Sequence, residues 1–145
     1  MAVIALKCPE IKVTVVDKSK EKIDLWNSKD LSKIPVYEPG LNEIVNQVRD
    51  KNLFFSNDIS GSIQNAEMIF IAVNTPTKTS GKGKGMAADL SNVISSAKEI
   101  AKFSKSNKIV VEKSTLPVRT AEKLKEVLNS HNRKVKFEVL SNPEF

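Results

Sequence analysis

Short β-branched runs alternate with longer stretches of helical spacing along the 145 residues. Ile11–Asp17, reading IKVTVVD, is rich in valine and isoleucine and predicts a strand. Glu21–Asn27 reads as a short helix with Ser19 as its N-cap. Ser28–Gly40 carries Pro35, Pro39 and Gly40 and predicts a loop. Leu41–Arg49 places apolar residues at 41, 44, 45 and 48, the spacing of one helix face. Leu53–Ser56 is a short strand. Ile59–Ala66 is a weaker helix that Asp58 can cap. Met68–Val73 (MIFIAV) is a continuous apolar run of strand length, which suits the middle of a sheet covered on both faces.

The second half repeats the alternation. Asn74–Met86 is a loop with a glycine–lysine repeat. Asp89 then caps a helix to about Phe103, with apolar residues at 90, 93, 94, 97 and 101. Lys108–Glu112 (KIVVE) is a strand. Pro117 fits the first position of a helix that runs to about Asn129, with apolar positions 118, 121, 124 and 128. Phe137–Leu140 is the last strand. Such alternation specifies an α/β fold with a doubly wound, mostly parallel sheet and helices on both faces. No repeat, low-complexity tract or linker divides the chain, so residues 1–145 read as one domain.

Composition adds exclusions. The chain is 40% hydrophobic and 28% charged, as soluble globular proteins are. No apolar run approaches the length a membrane span needs. A lone cysteine, Cys8, forms no internal disulfide, which suits an intracellular protein. Met1–Leu6 is apolar but lacks the basic start of a secretory signal. The net charge of +6 comes mostly from scattered lysines, many beside acids. No aromatic residues interleave with them, so a solvated surface is favoured over a nucleic-acid groove. No metal site is assigned.

Asp17 is the first candidate for chemistry. In dinucleotide-binding folds an acid at the end of the second strand accepts from the ribose hydroxyls, about 20 residues after a glycine-rich turn. Asp17 stands just past an apolar strand, although an aspartate there caps turns as often. The glycine fingerprint is absent, because counting back from Asp17 runs out before Met1. Met1–Cys8 reads as the latter part of the helix that would follow it, buried against the sheet and ended by Pro9, with Cys8 packed in the core. Gly81-Lys82-Gly83-Lys84-Gly85 has neither phosphate-binding spacing and reads as a mobile basic loop.

Several segments together resemble one family. They are Trp26-Asn27-Ser28, the run from Ile34 to Leu41 (IPVYEPGL), the run from Lys51 to Ser56 (KNLFFS), the run from Val73 to Thr79 (VNTPTKT), the run from Glu112 to Val118 (EKSTLPV) and the run from Leu140 to Phe145 (LSNPEF). In content and order they resemble the eukaryotic UDP-glucose 6-dehydrogenases across the whole chain. The resemblance implies an NAD-binding, Rossmann-like domain. It also implies an enzyme that oxidises UDP-glucose to UDP-glucuronate with two NAD, through a thiohemiacetal and a thioester on a cysteine.

Carried over by position, the resemblance makes Asp17 the ribose-binding acid and Lys22 a basic residue near the adenosine. Val73, Asn74, Thr75, Pro76 and Thr77 become a loop running along the cofactor. Ser114, Thr115 and Leu116 become a second such loop, where simple capping of the following helix is the competing reading. Thr115 is also implied to help place a catalytic water. Glu144 is implied to do acid–base work on the thioester, and Glu144 and Phe145 to meet the UDP-sugar. Homo-oligomers and a cytoplasmic location follow from the same resemblance.

The family pattern also has parts that this sequence lacks. The first strand and glycine turn would precede Met1, and the nucleophilic cysteine and sugar-binding domain would follow Phe145. The expectation is therefore a partial NAD-binding domain: a fragment that is inactive alone, is marginally stable and binds NAD in the millimolar range or weaker. The competing expectation is a regulatory or assembly module that docks with full-length subunits.

Overall fold

In the computed structural model, which describes residues 1–81, 84–114 and 120–142, five strands and six α-helices alternate along the described chain. Every pairing between strands is parallel. Strand β1 (Val13–Val16) pairs with β2 (Leu53–Ser56), from Val13 opposite Leu53 to Val16 opposite Ser56. Strand β4 (Lys108–Glu112) lies between β3 (Met68–Ile71) and β5 (Phe137–Ser141). Parallel neighbours need crossover connections. Helices α2 (Lys20–Trp26) and α3 (Leu41–Val48) separate β1 from β2, α5 (Ser91–Phe103) separates β3 from β4, and α6 (Thr120–His131) separates β4 from β5. This is the α/β architecture that the alternation predicts. The described strands form two small parallel sheets, of two and three strands, rather than one continuous sheet.

The chain divides into two compact units, Met1–Ser62 and Ile63–Phe145. In the first, Ala5, Val13, Ile34, Val45, Val48 and Leu53 form a buried cluster. Trp26 and Phe55 close its margin, their rings stacked at 4.7 Å between centroids. Helix α1 (Ala2–Lys7) packs on α3. Only Ala5 of α1 is buried, and Val3 is 57% exposed. The expectation of a buried first helix is thus corrected: α1 is one-sided, turning one stripe around Ala5 to the buried cluster and leaving the other face exposed. Cys8 is half-buried at its end and lies outside the buried cluster, so its assignment to core packing is corrected too.

Ser19 accepts from the Lys22 N–H and caps α2 as the sequence predicts. Gly40, at φ 80°, takes the left-handed turn that opens α3. Asp58 accepts from the Gly61 N–H at 2.9 Å and caps α4 (Ile59–Asn65).

In the second unit β4 is the most enclosed strand, with Lys108, Val110, Val111 and Glu112 all buried. Helix α5 buries Val93, Ala97, Ile100 and Ala101, and α6 buries Leu124 and Leu128. Phe137 of β5 is 1% exposed. The apolar run at 68–73 behaves differently from its expectation. Strand β3 ends at Ile71, pairs among the described strands only with β4, and leaves Met68 46% exposed. Continuous apolarity marks a strand, but position in the sheet depends on which neighbours pair with it. The predicted start of α6 at Pro117 lies outside the described residues.

Candidate functional site

Ligands of open parallel sheets bind at the carboxyl ends of the strands, and each unit presents such an end. In the first, Asp17 follows the last residue of β1, and its N–H donates to Ser56 O at 3.4 Å. Its Oδ1 accepts from the Ser19 N–H at 2.8 Å, which holds the turn into α2. Its Oδ2 lies 3.7 Å from the Lys22 ammonium, with the Asp17 side chain 42% exposed. Asp17 therefore caps its turn with one oxygen and keeps the other accessible. The turn-capping reading of this residue is realised. Lys22 is beside it, a pairing of exposed groups that adds little stability but sets a positive charge at the strand end.

In the second unit, the chain leaves β3 after Ile71 and residues 72–76 take no regular structure. Three of their carbonyls accept hydrogen bonds. Ser114 Oγ donates to Val73 O at 2.8 Å, and Asn92 Nδ2 donates to Asn74 O at 2.9 Å. The Asp89 N–H donates to Pro76 O at 2.7 Å. Just before, the Lys113 N–H donates to Ile71 O at 3.0 Å. Beyond, Thr77 bridges Ala88 in antiparallel fashion and the Lys78 N–H meets Ala87 O. Gly81 and Gly85 have φ of 72° and 75° in the glycine–lysine turn that follows.

Asp89 accepts from the Ser91 N–H at 2.9 Å, at the start of α5. The Ser91 bonds and then the nearby Lys78 charge hold its carboxyl below the ordinary range. Ser114, read from the sequence as cofactor-binding or helix-capping, spends its hydroxyl proton on the 73–77 loop. Thr115, Leu116, Glu144 and Phe145 lie outside the described residues.

Two groups at this sheet escaped the sequence reading. Asn92, in the first turn of α5, gives no periodic signal and is found only through its contact. Glu112 ends β4 buried, and burial pushes its carboxyl up while the Ser141 side chain pulls the other way. A glutamate at the end of KIVVE reads equally well as exposed. Among the described residues no group of three or more His, Cys, Asp or Glu side chains can hold a metal ion, and no helix is long and apolar enough to cross a membrane.

Each unit, taken by itself, offers groups of a kind that suits part of a dinucleotide. Asp17 offers an accessible acceptor for hydroxyls, Lys22 a positive charge, and the 73–77 loop a backbone already fixed by its own protein. Parallel strands, crossover helices and these strand-end loops define an α/β nucleotide-binding domain. The chain belongs to the UDP-glucose/GDP-mannose dehydrogenase family, whose NAD binding domain matches residues 1–145.

The relatives agree. UDP-glucose 6-dehydrogenase of Drosophila melanogaster is 57% identical over 145 residues, covering 99% of this chain and 30% of its own. UDP-glucose 6-dehydrogenase 1 of Arabidopsis thaliana is 54% identical over 100% of this chain and 30% of its own. Among solved structures, a ternary complex of GDP-mannose dehydrogenase from Pseudomonas aeruginosa superposes with a TM-score of 0.83 at 28% identity, over 99% of this chain and 33% of that one. A UDP-glucose dehydrogenase from Pyrobaculum islandicum gives 0.79 at 28% identity, over 92% and 30%. The chain thus spans about 30% of the length of the curated relatives it matches. The family is one of NAD-dependent oxidoreductases, and this chain corresponds to its NAD-binding part.

Proposed function

We propose that these residues form the cofactor-binding part of a UDP-glucose 6-dehydrogenase, which oxidises UDP-glucose to UDP-glucuronate. The observation that carries the reading is identity of 54–57% to such enzymes across essentially the whole chain. The strand-end geometry supports it. Asp17 receives the ribose hydroxyls on the oxygen that its turn leaves accessible, and Lys22 lies near the adenosine. Residues 73–77, with Ser114, Thr115 and Leu116, run along the rest of the cofactor. When bound, NAD supplies the hydride acceptor. Thr115 helps place the water and Glu144 moves the proton in thioester hydrolysis, while Glu144 and Phe145 meet the UDP-sugar. The 145 residues alone turn over no UDP-glucose, and the working enzyme is a cytoplasmic homo-oligomer.

Titration of the ¹⁵N-labelled chain with NAD tests this reading. The amides of Asp17, Lys22, Val73, Asn74, Thr75, Thr77 and Ser114 are expected to shift together, with a dissociation constant in the millimolar range, about −4 kcal/mol. Asp17→Ala is expected to weaken the response. If none of these amides responds at about 10 mM NAD, or the response lies elsewhere, the reading fails.

A further inference from the structure

The loop that leaves β3 is held by its oxygens. Ser114, Asn92 and Asp89 take the carbonyls of Val73, Asn74 and Pro76, Ser114 from beyond β4 and the other two from the start of α5. Pro76 adds its own restraint, since its ring fixes φ and keeps Thr75 out of the helical region. In a trans peptide the C=O and the N–H of one unit point to opposite sides. Val73 O shares a peptide unit with the Asn74 N–H, and Asn74 O with the Thr75 N–H. Turning both oxygens inward therefore turns both N–H groups away from Ser114 and Asn92.

Asn92 is the unusual member of this trio. It lies in the first turn of α5 and is exposed, so nothing in its helix requires its amide to bond inward. Its own carbonyl is taken by Ser96 Oγ at 2.9 Å, as in ordinary helical back-bonding. Its side chain nevertheless donates to a carbonyl eighteen residues earlier in the sequence.

We propose that Asn92 is a positioning residue, which holds the Asn74 carbonyl so that the Asn74 and Thr75 amides face a bound cofactor. The clamp itself stands on geometry; what it serves rests on the reading of 73–77 as a cofactor loop. Asn92→Ala removes the donor. Asn92→Asp keeps the size and sets a carboxylate against a carbonyl, so its effect is larger.

The test is NMR on the labelled chain. Asn74 C=O and Thr75 N–H are one peptide group, so the Asn74 ¹³C′ and Thr75 ¹⁵N resonances should move in both variants. Exchange of the Asp89 amide, bonded to Pro76 O, should speed up about fivefold, the effect of losing one ordinary hydrogen bond. Amides of Val110 and Val111 should stay within about twofold, as for an opening confined to the loop. Unmoved Asn74 and Thr75 resonances overturn the proposal, and so does a uniform rise in exchange across β3, β4 and β5. In the same samples, Asn92→Ala should weaken NAD about fivefold. A broken clamp with unchanged NAD affinity overturns the positioning role. If the parent chain itself gives no NAD response, the cofactor reading fails, and the exchange data alone decide the clamp.

Discussion

Asp50 turns the chain between α3 and β2 with φ at 63°, the only described non-glycine residue there with positive φ. Its N–H donates to Leu53 O at 3.0 Å, and the N–H groups of Lys51 and Asn52 both reach Val48 O at 3.2 Å. Aspartate tolerates this region better than most residues, and a β-branched side chain tolerates it worst. Asp50→Val is expected to cost about 1–2 kcal/mol in urea unfolding, while Asp50→Asn stays near the parent.

Glu112 offers a second test at this scale. Its folded carboxyl titrates above its ordinary value because of burial. The folded state therefore keeps this proton over a range where the unfolded chain has lost it. Stability from this group is full below the unfolded carboxyl value and falls as pH rises through the folded one. Glu112→Gln removes the titration. Relative to the parent, the variant should gain stability as pH rises from about 4 toward neutrality. Urea midpoints of the two proteins across that range check the sign, and a difference that is flat with pH would contradict it.

Helix ends show how elements join. Four of the six described α-helices have carbonyls in or just past their last turn met by a side chain from far along the chain. Asn52 Nδ2 reaches Ala5 O at 2.8 Å and Cys8 O at 3.3 Å behind α1, and Ile11 O at 3.2 Å ahead of β1. Arg49 Nη1 reaches Trp26 O and Ser28 O behind α2. Nζ of Lys108, a residue only 3% exposed, reaches Gln64 O and Ala66 O behind α4. Its burial pulls its own charge state down, and Glu67 partly opposes that. Asn132 Nδ2 reaches Ala101 O and Ser104 O behind α5.

Such carbonyls have no partner within their own helix, so each donor both closes a helix and ties it to another element. Asn52→Ala and Asn132→Ala are each expected to cost about 1–3 kcal/mol, by leaving acceptors short. Their sites share no partners, so the double variant should lose the sum within about 0.5 kcal/mol. Denaturant unfolding of the three proteins decides it.

At the scale of the molecule, the two units each close a small core. A body of about 60 residues buries proportionally little surface and is only marginally stable alone. The single tryptophan, Trp26, is stacked on Phe55 in the first unit. Its fluorescence therefore follows that unit, whereas far-ultraviolet circular dichroism follows both. The two transitions are expected to separate, fluorescence first, with the midpoint on heating below about 60 °C. Coincident transitions above that temperature would contradict the expectation.

The sequence by itself determined what is local. Short strand-like runs between helical stretches located β2 and β4 to the residue, hydroxyl and carboxylate placement marked Ser19 and Asp58 as caps, and strand-end position singled out Asp17. The tertiary structure alone decided that the strands form two sheets, that β3 lies at the edge of the described strands, and that α1 buries one stripe. It also decided that Asn92 and Ser114 fasten the 73–77 loop. Side-chain periodicity reports only which face of an element is apolar. The strand that pairs with another, and the donor that meets a distant carbonyl, are set by contacts between residues far apart in the chain.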